Sequence, residues 1–388
     1  MNHLFSDEQI MLRKTTHDIV KQYDDVYWRE IDTNHRFPQE FWDTCSEAGL
    51  IGVMISEEFG GSGLGVTEAA IILQEVGRSA AGMDGASTIH LSIFGPNPVF
   101  FHGNKEQKEK YLPEIAAGKL HVSFGVTEPN AGTDTTRIKT FAKREGDNYI
   151  INGHKTFITK AQLADRILLI TRTTPYDEVT KKTDGMSLFF APNDRSAITI
   201  KPIEKMGRNA VDTNELFIEG LEVDSFDLIG EEGKGFRYLI DGLNPERILV
   251  AVEAIGIGYG ALERAAKYAN EREVFGRPIG MNQGIQFPLA DAYSQLKAAE
   301  ALVYQAAWLY DHGKPCGPEA NMAKLRASEA GFNAVDAAFQ TFGGYAYAKE
   351  YNIERFYRQI RLGRIAPVSN EMIKNYIAQH CLGMPRSY

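Results

Sequence analysis

A chain of 388 residues that is 43% hydrophobic and 24% charged has the make-up of an ordinary globular protein, with length for two or three domains and no sign of a disordered composition. A net charge of −9 without any Lys/Arg block excludes nucleic acid and anionic membrane as main partners. Cys45, Cys316 and Cys381 are odd in number and far apart, which predicts neither a disulfide framework nor a metal-type CxxC pair.

The sequence carries no 18-residue apolar span and no basic-then-apolar leader, so a soluble cytoplasmic protein in a reducing compartment is expected. From Phe5 to about residue 120 the apolar spacing is helical. Ser6-x-x-Gln9 is a capping box that opens a periodic stretch to about Tyr23, and Pro38–Leu50, Val66–Gly77 and Lys105–Ala117 repeat the pattern. The glycine-rich run Glu57–Gly65 has no following Lys and reads as a turn between helices. Between about 121 and 225 the period falls to two and β-branched residues multiply, as in Tyr149–Gly153, Ile167–Thr171 and Ala197–Ile200, with a polar, mobile loop at Thr174–Thr183. Helix signals return from Gly233, with breaks at Pro315–Pro318 and Gly343-Gly344. The predicted domains are helical (1–120), β (121–230) and helical again (231–388).

Within the last of these, Asp241–Val250 sets a carboxylate at the start of a long apolar helix. Asn244 suits the N-cap, Pro245 the first helical position, and Glu246 then falls at the second. A solvated acid favoured by the helix dipole is the ordinary reading of Glu246. Further on, Gly256-Ile257-Gly258-Tyr259-Gly260-Ala261 imitates a dinucleotide fingerprint, but the helical period runs through it and no later strand completes a βαβ unit. These glycines are expected to be close-packing positions.

Two segments can meet a polar ring. Phe124–Asp134 combines alternating apolar residues, hydroxyls and a small-residue turn, and can offer N–H and hydroxyl groups to a heterocycle edge or a phosphate; an ordinary turn fits as well. Lys155–Thr159 is expected to place an aromatic and a hydroxyl on one strand face, with a core Phe as the alternative. Taken in order, Ser56–Gly61, Val126–Asp134, Phe157-Ile158-Thr159, Arg272–Gly276, Gln283 and Gln340–Gly344 resemble the acyl-CoA dehydrogenase family over nearly the whole chain.

The resemblance implies an α+β fold: an N-terminal helical domain, a middle β-barrel or sandwich domain and a C-terminal four-helix bundle. It also implies a homotetramer with FAD held across a subunit interface, and an electron-transfer flavoprotein as partner. By position, Phe124, Val126, Thr127, Gly132 and Thr133, with Phe157, Ile158 and Thr159, would contact the isoalloxazine, and Thr133 would also meet the substrate. Phe157 stands where the family usually has Trp, which keeps a stacking face and loses an N–H donor. Arg272, Phe275, Gln283, Gln340, Gly343 and Gly344 would hold the pyrophosphate and adenosine side, and Ser369 and Glu371 would run beside the flavin. A solvated Arg272 and an N-capping Ser369 are the plain structural alternatives.

Many relatives place the catalytic base in a C-terminal turn, where this chain has Pro367, which takes no proton. Relatives resembling isovaleryl- and long-chain dehydrogenases use the Glu of a Leu-x-x-Glu-Arg segment, matched here by Leu243-Asn244-Pro245-Glu246-Arg247. The implied reaction is α,β-dehydrogenation of an acyl-CoA with Glu246 as base, and Asn244, Arg247, Pro367 and Val368 beside the thioester. Pro367 also lacks the backbone N–H that relatives aim at the thioester carbonyl, so Val368 or the flavin would take that role. Ile89, Leu91 and Phe94 could narrow an acyl tunnel or serve the core, and Ala366 leaves room for a branched or medium acyl group. A carrier-bound acyl substrate, an oxidase, and a silent flavin- or CoA-binding subunit are the alternatives. No metal is expected.

Overall fold

The structure is a computed structural model that describes residues 5–387; Met1–Leu4, where a leader would begin, lie outside them. Among the described residues seven helices come first: α1 (Asp7–Val20), α2 (Asp25–Asn34), α3 (Gln39–Glu47), α4 (Val66–Arg78), α5 (Gly82–Phe94), α6 (Asn97–His102) and α7 (Lys105–Ala116). The capping box at Ser6 and Gln9 forms as its residue types require, each side chain meeting the other's backbone N–H. The helix expected over Pro38–Leu50 is shorter, because Gly49 at φ +73° turns the chain beyond Glu47.

One sheet follows, built from β1 (Val122–Gly125), β2 (Phe141–Glu145), β3 (Asn148–Thr159), β4 (Arg166–Arg172), β5 (Met186–Pro192), β6 (Ile198–Pro202), β7 (Thr213–Asp224) and β8 (Leu228–Ile229). Its order is β6-β7-β3-β2-β4-β5-β8, with β1 parallel to β4. The continuous apolar run of β4 is explained by burial on both faces. Ile167 and Leu169 join a core with β3 and β7, while Leu168 and Ile170 face a second core with α7.

The chain then returns to helices: α8 (Gly235–Asp241), α9 (Leu243–Glu271), the small hairpin β9 (Glu273–Val274) and β10 (Arg277–Pro278), α10 (Gln283–Asp311), α11 (Gly317–Phe342), α12 (Ile353–Ile360) and α13 (Asn370–His380). Helix α9 is the axis of this half, packed against α4, α5, α10 and α11. It does not start as its sequence suggests. Gly242 keeps a right-handed helical conformation and joins α8 to α9, so the cap falls two residues before Asn244, and Asn244 and Glu246 are the second and fourth residues of the first turn of α9. Freed from capping, the Asn244 side chain accepts from Arg247 Nη1 at 2.9 Å.

The glycines of α9 let two backbones meet. A Cβ on Gly256 would stand 2.4 Å from the Gln74 carbonyl oxygen of α4, and one on Gly260 would stand 2.3 Å from that of Arg78. Both obstacles are main chain and cannot rotate away. Gly256→Ala should therefore cost about 3 kcal/mol by overpacking, against ~1 kcal/mol recovered in helix propensity. The check is a lowered urea midpoint at unchanged slope; a midpoint at or above wild type would refute the close approach.

Among the described residues no helix is long and apolar enough to cross a membrane, and no group of acids, His and Cys could hold a metal ion.

Candidate active site

Glu246 sits on α9 with its carboxyl buried at 9% residue exposure. Burial raises its pKa to about 7, with a further push from Glu253, while His90 and Arg247 pull it back. The dipole of α9 favours the anion by ~1 kcal/mol at most, which burial exceeds. A carboxyl poised near neutrality can take a proton at working pH.

The groups around it come from α5 and α9. Glu253 lies seven residues, two turns, further along the same face of α9 and is fully buried, with His90 Nδ1 of α5 at 2.7 Å and Arg208 Nη2 at 3.9 Å. Arg208 Nε also donates to Ser87 Oγ at 2.6 Å. His90 packs on Phe94, with ring centroids 4.7 Å apart, and Phe94 on Phe124 of β1 at 5.8 Å. Of the proposed tunnel residues Phe94 thus joins α5 to β1, while Ile89 and Leu91 belong to the helical core.

Beside β1, two of the sequence segments meet. Thr156 N donates to the Thr127 carbonyl at 2.9 Å, bringing the 124–133 loop against the end of β3. A buried ion pair pins that loop: Lys155 Nζ donates to Val126 O at 2.9 Å and to Glu128 Oε1 at 3.0 Å. Glu128 also accepts from the backbone N–H groups of Lys139 and Thr140. Burial pushes the Glu128 carboxyl up, but Lys155 and these donors outweigh it and hold the pKa below the usual range. Burial brings Lys155 down to about 8.

The expected alternation through Phe157 and Thr159 fails. The β3–β7 register shifts between Lys155 and Ile158, and Phe157 adopts φ +58°, leaving the residue 66% exposed; Ile158 is buried and Thr159 half-buried. A bulky residue in the left-handed region is costly, and such strain collects where a ligand is clamped. Next to it, Gly132 and Thr133 are exposed and Phe124, Val126 and Thr127 half-buried. An exposed aromatic face beside a hydroxyl-bearing loop edge fits a flavin ring.

Farther along α9, Arg272, Gly343 and Gly344 line a cleft of about 460 Å³ with Tyr268, Phe342 and Tyr345, and the Arg272 guanidinium lies 5.5 Å from the Tyr345 ring centroid. Gln340, Phe275 and Gln283 are exposed but do not line this cleft, Phe275 standing fully out at φ +54°. At the other end of the domain, Ser369 Oγ accepts from Met372 N and caps α13. Pro367 and Glu371 are exposed and Val368 half-buried. Lys324 of α11 ties this turn down, donating to Val368 O at 2.7 Å and Asn370 Oδ1 at 2.9 Å. Sequence reasoning missed His90, Glu253, Arg208 and Lys324. A lone acid two turns below Glu246 in an apolar helix was the readable signal for Glu253.

The comparisons agree along the chain. Residues 6–119, 123–221 and 233–382 match the N-terminal, middle and C-terminal domain models of acyl-CoA dehydrogenases. An acyl-CoA dehydrogenase of Bacillus subtilis is 36% identical, covering 97% of this chain and 99% of its own. The butyryl-CoA dehydrogenase structure from Megasphaera elsdenii is 32% identical with a TM-score of 0.92, covering 98% and 99%. That of the prolyl acyl carrier protein oxidase AnaB is 29% identical, also at 0.92, covering 98% and 100%. The chain belongs to the acyl-CoA dehydrogenase family, FAD-dependent oxidoreductases that act on CH–CH bonds.

Proposed function

We propose that this chain dehydrogenates an acyl-CoA thioester between its α- and β-carbons, with Glu246 as the base. The observation that carries the reading is a buried carboxyl with a pKa near 7 on the helix that also bears Arg247. Glu246 takes the α-proton onto a carboxylate oxygen, and closure of the site around the thioester would raise its basicity further by excluding water. Bound FAD supplies the acceptor for the hydrogen that leaves the β-carbon with its electron pair. Asn244 and Arg247 steady the thioester with Thr133, and the Val368 N–H replaces the donor that Pro367 lacks, in a turn held by Lys324.

On this reading Phe124–Thr133 and Phe157–Thr159 hold the flavin ring, with Ser369 and Glu371 along its side. Arg272, Phe275, Gln283, Gln340, Gly343 and Gly344 hold the pyrophosphate and adenosine, partly across a subunit boundary. The assembly is read as a homotetramer, in which the exposed Phe275, Phe287 (60%) and Tyr347 (83%) are candidates for burial between subunits. Electrons pass to an electron-transfer flavoprotein, and the acyl group is branched or of medium length.

A second reading, a carrier-bound acyl group, draws on the likeness to the prolyl acyl carrier protein oxidase. Anaerobic addition of an acyl-CoA panel tests the first: at least one member should bleach the flavin absorbance. Bleaching by acyl-carrier conjugates alone would favour the second reading, and bleaching by neither would refute both.

A further inference from the structure

We propose that His90 and Glu253 form a polar floor to the acyl site and select an acyl group that carries a hydroxyl. The inference rests on the proposed acyl site at Glu246, and it names the chemistry of the acyl end.

Seven residues of helix separate Glu246 from Glu253 by ~10 Å, a depth suited to a short acyl chain. The side chains of α9 between Arg247 and Glu253 are apolar, from Ile248 to Val252, so the second acid is isolated in an otherwise greasy wall. Among the described residues neither Glu253 oxygen nor His90 Nδ1 makes a hydrogen bond of good geometry, although the two groups approach to 2.7 Å. His90 and Arg208 outweigh burial and keep the Glu253 carboxyl ionised, below its ordinary range.

Packing does not account for this arrangement, because apolar side chains of similar volume in place of a buried ion pair are commonly neutral or stabilising. Nor does proton abstraction. His90 lowers the basicity of Glu246, the opposite of what the base requires.

A ligand does account for it. The imidazole turns Nδ1 toward Glu253, which leaves Nε2 for another partner. The ring also packs on Phe94, which reaches Phe124 beside the proposed flavin segment. A hydroxyl both donates and accepts, and so can bond Nε2 in either protonation state of the ring. A plain alkyl end would strip water from His90 and return no hydrogen bond, which is how buried polar sites reject apolar analogues.

The test compares ω-hydroxyacyl and unsubstituted acyl chains of three to five carbons, as CoA thioethers that cannot be dehydrogenated, by their dissociation constants for the FAD-loaded protein. Wild type should bind the best hydroxyl ligand at least roughly tenfold more tightly than its alkyl equivalent. His90→Leu should bring that ratio below about twofold, and Glu253→Gln should lower it while retaining flavin. Equal binding by wild type, or a preference that survives His90→Leu, would overturn the proposal. Should His90→Leu fail to fold, Glu253→Gln decides by the same ratio. Since these ligands do not react, the outcome is independent of whether Glu246 is the base or of whether any thioester bleaches the flavin.

Discussion

Glu246→Gln is expected to keep its FAD and its affinity for acyl ligands while anaerobic flavin reduction slows by roughly 10²–10⁴-fold, the usual loss when a positioned base is removed. Gln is nearly isosteric, so the packing of α9 against α5 should stand, and a buried amide is cheaper to desolvate than a carboxylate. The variant should therefore be at least as stable as wild type, which separates chemistry from folding. Stopped-flow reduction supplies the rate and a thermal melt the control. A variant that reduces its flavin at the wild-type rate would mean that another group takes the proton.

Lys155→Met should be as damaging by a different route. Met preserves most of the volume, but Glu128 would remain ionised, buried and without its counter-ion, a loss of about 3–5 kcal/mol. The Val126 carbonyl would lose its donor at the same time, so the loop proposed to support the flavin ring should loosen and FAD content should fall with stability. The double change Lys155→Met with Glu128→Gln removes the stranded charge and should recover part of the stability. A single variant melting within ~1 kcal/mol of wild type and retaining full FAD would contradict the role given to this pair.

Much of the architecture was legible because local rules and tertiary packing agree. The Ser6–Gln9 box, the Ser369 cap and the unbroken apolar run of β4 each follow from residue type and spacing. The glycines at 256, 258 and 260 were readable as contacts because the helical period persists through them. Where the reading failed, a neighbour in space outweighed a local preference. Asn244-Pro245 obeys the rules for an isolated helix start, yet α8 runs into α9 through Gly242 and moves that start upstream.

Phe157 looked like one residue of an alternating strand, but the bulge that lifts it out depends on the partner strand β7. His90 was hidden because its helix, Gly82–Phe94, is buried all round and offers no face on which a polar residue stands out. Its meaning comes from Glu253 on another helix, 163 positions away, which no local pattern can supply. The position of Glu246 was accessible through family resemblance. The burial that tunes it belongs to the fold.

Proton removal by Glu246 is tested most directly by the pH dependence of kcat/KM for flavin reduction, which reports the ionisation of the free enzyme's base. Burial places this carboxyl near 7, and only its anion can accept the α-proton. The rate constant should thus rise as pH increases through about 7 and level off above it, with the inflection absent in Glu246→Gln. A profile flat from pH 5.5 to 9, or the same inflection in Glu246→Gln, would contradict the assignment.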